Sequence, residues 1–126
     1  NYRMPNINAA LGCAQLEKIS ELLKIKRQLF NSYKKSFNSL SNEVEIFQEP
    51  KNCNSNYWLQ TLILKKNDVD ARDKILNETN QCGFNTRPTW HLNHQLPHFQ
   101  NCPRMDLMTA ELLENKIVNL PSNESI

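Results

Sequence analysis

The sequence predicts an α+β domain in which helices cover a small, largely antiparallel sheet. Three observations carry that expectation. Leu22, Ile25, Leu29, Tyr33, Phe37 and Leu40 recur at helical spacing, the run YWLQTLIL at 57–64 is rich in β-favouring side chains, and the elements alternate as helix, helix, strand, strand, helix, strand, loop, helix.

Pro5 followed by Asn6 and Asn8 supplies helix-start chemistry, because an Asn side chain accepts from a first-turn N–H and Pro sits where no N–H is needed. In the helix that follows, Ile7, Leu11 and Ala14 share a face, and Ala9, Ala10, Gly12 and Cys13 form a small-residue patch suited to close backbone approach. A second, amphipathic helix is expected from Ser20 to near Ser41, with Lys24, Lys26, Lys34 and Lys35 mostly off its apolar stripe. Val44, Ile46 and Phe47 predict a short strand with Glu43, Glu45 and Glu49 on its exposed side, and an Asn-rich loop from Asn52 to Asn56 leads into the strand at 57–64. Asp68 or Asp70 caps a helix carrying Val69, Arg72, Ile75, Leu76 and Thr79, and Gly83 stands where a left-handed C-terminal cap belongs. A third strand over 84–87, a loop punctuated by Pro88, Pro97 and Pro103, and a helix from about Asp106 to Lys116 complete the series. The opening NYRMPNINAALG, with no initiator Met, is expected to continue from an upstream segment. The closing NLPSNESI reads as a strand-like piece running into a polar C-terminal tail.

Composition narrows the function less than it narrows the fold. The 126 residues carry 15 Lys plus Arg against 13 Asp plus Glu, a formal charge of +2, which is too balanced to imply nucleic acid or an anionic membrane. No apolar run approaches the roughly 20 residues that cross a bilayer. The four cysteines form no CxxC pair and are expected as reduced thiols in the cytoplasm. With two glycines there is no glycine-rich phosphate loop, and no serine or cysteine stands in a recognisable nucleophile context.

Chemistry concentrates in TRPTWHLNHQLPHF, where Arg87, Trp90, His91, His94 and His98 are followed by Cys102. An unbroken helix would put His91, His94, His98 and Cys102 on one face as zinc ligands, but Pro97 and Pro103 argue against that helix. An apolar-aromatic loop with Arg and His suits an anionic small molecule better, with guanidinium on phosphate oxygens and Trp on a ring. The basic run Lys24, Lys26, Arg27, Lys34 and Lys35 reads first as a solvated face, with nucleic-acid contact as the sharper alternative.

Three segments in order resemble the DegT/DnrJ/StrS family of pyridoxal-phosphate-dependent nucleotide-sugar aminotransferases. NYRMPNINAALGCAQLE is similar to the segment after that family's catalytic domain, GFNTRPTWHLNHQLPHF to its late substrate loop, and ENKIVNLPS to its closing Leu-Pro signature. The resemblance implies the C-terminal part of a fold-type I aminotransferase, with residues 1–42 as connecting helices and 43–126 as the small domain. It further implies amino transfer, from glutamate, to a 4-keto nucleotide-sugar in cell-surface polysaccharide biosynthesis, by a homodimer. The Arg-Pro-x-Trp wording is closest to the branch acting on UDP-linked 4-keto-6-deoxy-N-acetylhexosamines, on routes to bacillosamine or legionaminic-acid-type sugars.

By the same resemblance the Schiff-base lysine lies upstream of Asn1, so no catalytic residue is expected in this chain and it should not act alone. Asn1 matches the Asn that donates to the cofactor phosphate across the dimer, and Arg3 is assigned to a phosphate or carboxylate, or equally to a structural ion pair. Arg87, Trp90 and His94 are assigned to the nucleotide-sugar, with Trp90 replacing the more usual Tyr and so exchanging a hydroxyl for ring area. No metal is implied. The rival expectations are a free-standing metal- or nucleic-acid-binding module and a non-catalytic aminotransferase relative.

Overall fold

The computed structural model describes residues 2–123. Helix α1 (Asn6–Glu17) starts after an extended Pro5 and is separated by Lys18 alone from α2 (Ile19–Ser36). Strands β1 (Val44–Ile46) and β2 (Gln60–Leu64) follow, then α3 (Val69–Gln81), β3 (Arg87–Pro88), α4 (Met108–Glu114) and β4 (Ile117–Leu120). The strands form one antiparallel sheet in the order β1-β2-β4-β3.

Register explains which face is covered. Val44 pairs with Leu64, Ile46 and Val118 both pair with Leu62, and Leu120 pairs with Gln60, so these side chains share one face of the pleat. Val44, Leu62, Leu64, Val118 and Leu120 form the buried core, and Tyr33 and Phe37 from the α2 side and Ala71, Ile75 and Leu76 of α3 pack onto it. Of the helical stripe read from the sequence, Tyr33 and Phe37 thus reach the core, Leu22, Ile25 and Leu29 are half-buried and Leu40 is exposed, while the buried residue of α2 is Phe30, which the stripe did not include. Tyr33 also donates its hydroxyl to the Pro121 carbonyl at 2.9 Å, tying α2 to the end of β4, and burial raises its pKa.

Local signals place α3 as expected. The Asp68 carboxylate accepts from the Ala71 N–H at 2.9 Å, and Gly83 adopts φ 86° while the Phe84 N–H bonds back to the Thr79 carbonyl at 2.9 Å. Other boundaries move. The helix expected to reach Ser41 ends at Ser36 in a 3-10 turn, Phe37–Leu40, which sets Phe37 on the core. The 57–64 strand begins only at Gln60, because Tyr57 takes a positive φ of 46°. The third strand shrinks to Arg87–Pro88, since the Thr86 carbonyl and hydroxyl are already bonded to α3 and Pro88 has no N–H to donate. The final helix starts later than Asp106, whose carboxylate caps the Met108 N–H at 2.9 Å.

The strand-like piece expected near the end of the chain is β4, and the expected series of elements gave it no place in the sheet; it is an interior strand whose Val118 has no exposed surface. In contrast, α1 has no buried residue; Ile7, Leu11 and Leu16 along it, and Tyr2 and Met4 before it, are all exposed.

Leu62 is 2% exposed at the centre of this core, so Leu62→Ala should cost about 2–5 kcal/mol. Amide hydrogen exchange of the complete protein should show the loss as reduced protection in β2 and β4, with α1 unaffected.

Candidate functional site

A polar knot between α2 and the loop after β1 sets the first wall of the site. Arg27 donates to both carboxylate oxygens of Glu49 at 3.0 and 3.3 Å and to the Ser55 carbonyl at 2.8 Å, and it also reaches Asn54 Oδ1. The Ser55 N–H bonds Glu49 in turn. Glu49 was expected on an exposed strand face; it is instead part-buried, beyond β1, and held by a guanidinium 22 positions earlier. These charge-assisted bonds hold its carboxyl below the usual carboxylate range.

The knot ends on Tyr57, whose ring stacks on Phe30 with centroids 4.3 Å apart and lies 5.3 Å beneath the Arg27 guanidinium. A left-handed backbone is costly for a bulky side chain, and here the stack and the cation–π contact hold it. The turn buries Tyr57 and leaves its neighbour Trp58 65% exposed on the opposite side. Trp58 is fixed through its own backbone, by Asn56 Oδ1 accepting from its N–H at 3.0 Å and Ser122 Oγ donating to its carbonyl at 2.8 Å.

A second wall comes from β3. Thr86, 4% exposed, exchanges a hydroxyl hydrogen bond with Thr79 at 2.6 Å and accepts from Asn80 Nδ2 at its carbonyl and hydroxyl, each at 3.0 Å. That anchor on α3 places the adjacent Arg87 opposite Asn119 of β4, whose amide donates to the Pro88 carbonyl at 3.4 Å and accepts from Thr61 at 3.3 Å. Trp90, 68% exposed, lies 6.5 Å from Trp58 with the ring planes 22° apart. Trp58, Arg87, Trp90, Asn119 and Asn85 line a hollow of about 430 Å³.

Beyond Trp90 the Pro-rich loop encloses a neighbouring hollow of about 500 Å³, lined by Trp90, His91, His94, Phe99, Cys102 and Arg104 among others. His94 sits in a 3-10 turn, Asn93–Gln95, with its Nε2 3.1 Å from Glu111 Oε1 on α4. Gln95 donates to Glu114 at 2.9 Å, so α4 clips this turn at two places. Trp90 is the side chain common to both hollows.

Three expected site residues, Arg87, Trp90 and His94, are thereby brought to adjacent hollows. Arg3 is not: it lines a separate recess with Tyr2, Met4, Pro5 and Asn8 at the head of α1. Asn1 lies outside the described residues. The helix that would align His91, His94, His98 and Cys102 does not form, and no cluster of three or more His, Cys, Asp or Glu converges among the described residues. All four cysteines are exposed free thiols. The basic run is partly spent within the molecule, with Lys26 on the Ser122 carbonyl, Arg27 on Glu49 and Lys34 on Gln48 at 2.7 Å. No described helix is long and apolar enough to cross a membrane.

Sequence reasoning missed Trp58, Glu49 and Thr86. Trp58 was legible only as a strand residue, and the other two act through partners that no local pattern reveals.

Residues 1–126 match the DegT/DnrJ/EryC1/StrS aminotransferase family over their whole length. The GDP-perosamine synthase of Escherichia coli O157:H7 is 32% identical over 126 residues, covering 100% of this chain and 33% of that protein. The Helicobacter pylori aminotransferase PseC, involved in the biosynthesis of pseudoaminic acid, superposes with a TM-score of 0.86 at 19% identity, over 99% of this chain and 34% of that one. The E. coli GDP-4-keto-6-deoxy-D-mannose-3-dehydratase, solved with bound hydrated PLP, gives a TM-score of 0.75 at 20% identity over 93% of this chain and 31% of that one. The chain spans about a third of the length of the curated relatives it matches.

The Arg27–Glu49 pair yields a signed pH dependence. Because the folded-state pKa of Glu49 is depressed, its stabilising contribution is complete above the ordinary glutamate value of about 4.3 and is lost as pH falls below it. Melting temperature followed from about pH 6 to pH 3 should fall more steeply for the wild type than for Glu49→Gln, which lacks the titrating group. Parallel curves would remove the pair from the stability argument.

Proposed function

The chain belongs to the DegT/DnrJ/EryC1/StrS aminotransferase family, and we propose that it forms the C-terminal part of an enzyme that moves an amino group onto a nucleotide-linked 4-keto sugar. The single observation that carries this reading is the junction at Trp90, where an Arg-bearing aromatic hollow meets a His-bearing one. An anionic nucleotide portion suits the first, and a hydroxyl-rich sugar suits the second. The sequence relatives favour amino transfer over the dehydration named for the structural neighbour, since the fold alone serves both.

In this proposal residues 1–42 lead from a preceding domain into the small domain, 43–126, and the intact protein is a cytoplasmic homodimer in a cell-surface polysaccharide pathway. The exposed, unbridged cysteines support a reducing compartment. Pyridoxal phosphate, when bound, would supply a carbonyl carbon to carry the amino group between glutamate and the sugar, and a pyridinium ring to act as electron sink. The donor chemistry near the start of the chain fits that group's phosphate: Arg3 is exposed and has no ion-pair or hydrogen-bond partner among the described residues, and the amide of Asn1 precedes it. The lysine that would anchor the ring belongs to the preceding domain.

The chain's own residues bind and orient. Arg87, held by Thr86 and β4, presents a guanidinium to diphosphate oxygens, whose bidentate geometry it matches. His94 has its Nε2 committed to Glu111, which leaves Nδ1 to hydrogen-bond a sugar hydroxyl. Trp90 separates the two groups and offers a ring face to each hollow.

The test is an assay of the complete enzyme with glutamate and with UDP- and GDP-linked 4-keto-6-deoxy sugars. An amino sugar product with either nucleotide supports the proposal. A deoxygenated keto sugar, or no turnover despite a cofactor absorbance band, overturns it. Within an active enzyme, His94→Ala should raise the KM for the sugar nucleotide about tenfold, as for loss of one hydrogen bond to substrate, with glutamate kinetics unchanged. Asn1→Ala should lower cofactor content on dialysis, and unchanged retention would remove its assignment.

A further inference from the structure

We infer that Trp58 is a substrate-binding residue, forming with Trp90 a platform on which the planar base of the nucleotide-sugar stacks while Arg87 takes its diphosphate. This deepens the reading just given and rests on it.

The first argument is one of placement. The chain contains two tryptophans, 32 positions apart in sequence, and both stand together on one rim with rings 6.5 Å apart and nearly parallel. Each leaves about two-thirds of its surface to solvent, at 65% and 68%, whereas tryptophan is on average among the more buried side chains. Neither is a gap in the core, which is complete without them.

The second argument is that the molecule works to hold Trp58 outward. Tyr57 adopts a left-handed backbone that its ring size disfavours, stabilised by Phe30, Arg27 and Glu49, and the alternation this creates sends Tyr57 inward and Trp58 out. Its carbonyl and N–H are each tied, by Ser122 and Asn56, so the indole is displayed from a fixed backbone. A rigid aromatic side chain offers stacking area at small entropic cost.

The third argument is chemical complementarity. Arg87 lines the same hollow as both indoles, together with the amides of Asn85 and Asn119. A guanidinium beside an aromatic pair matches a ligand that is planar at one end and dianionic a few ångströms away, which describes a nucleoside diphosphate. Stacking reads a π-face and not a hydrogen-bonding edge, so the platform itself admits uracil and guanine alike.

The test uses the complete enzyme and three probes: UDP, GDP and inorganic pyrophosphate, with affinities by calorimetry. Trp58→Leu should weaken UDP and GDP about tenfold and leave pyrophosphate within twofold of the wild type. Trp58→Phe should retain most of the affinity, and the KM for the sugar nucleotide should rise in Trp58→Leu with kcat and cofactor absorbance little changed. Wild-type nucleotide affinity in Trp58→Leu overturns the inference, as does an equal loss for pyrophosphate, which would mark Trp58 as packing against the rest of the enzyme. Should Trp58→Leu fail to fold, Trp58→Phe carries the decision through a two- to threefold loss for UDP with none for pyrophosphate. An enzyme that shows the Trp58-dependent nucleotide binding but makes no amino sugar separates the two readings, sinking the proposed reaction and keeping the platform.

Discussion

The pairing of β2 with β4 is the constraint on which the rest of this molecule depends. It joins Gln60 to Leu120 and Ile63 to Ile117 across nearly half the chain, and it supplies Leu62, Leu64, Val118 and Leu120 of the core from both sides of one ladder. Until β4 docks, β3 has no strand to pair with, because Arg87 and Pro88 bond to β4 alone. The site inherits that dependence. Trp58 precedes β2, Arg87 lies on β3, and Ser122, which fixes Trp58, follows β4. Loop closure over so many residues makes this ladder entropically costly to form, and the walls of the candidate site are in place only when the sheet is whole.

Much of the fold was legible because its signals are local. Asp68, one of the two expected caps, and Gly83 as left-handed stop each rest on interactions within a few positions, and each stands in the structure where the sequence put it. What escaped is non-local. Ile117–Leu120 is four residues ending before Pro121, too short to announce an interior strand, and only its partners on both sides make it one. Arg27 looked like part of a solvated basic run because nothing in its neighbourhood points to Glu49. The strand at 57–64 read as one continuous run since Tyr57, Trp58 and Leu59 have β-favouring side chains; packing of Tyr57 against Phe30 and Arg27 overrides that preference.

The candidate site divides in the same way. Arg87, Trp90 and His94 were readable through a resemblance that follows chain order, and the structure adds what order cannot give: a shared wall at Trp90 and a partner for His94 on α4. Trp58 belongs to the same rim from the opposite edge of the ladder. Such a residue becomes visible only when two strands distant in sequence are laid beside each other.

Helix α1 obeys a different rule from the rest. A 12-residue helix with Ile7, Leu11 and Leu16 exposed has neither the length nor the burial to be stable by itself in water. Small residues at Ala9, Ala10, Gly12, Cys13 and Ala14 leave its flank open to a close-packed neighbour, and a Cβ placed on Gly12 would meet nothing within 4 Å inside this chain. The sheet-bearing part therefore leaves this flank uncovered. Arg3 rides at its head, away from the sheet, whereas Arg87 is positioned by β4. The two arginines proposed to bind anions thus sit on separate parts of the fold, and a substitution that loosens one should leave the other in place.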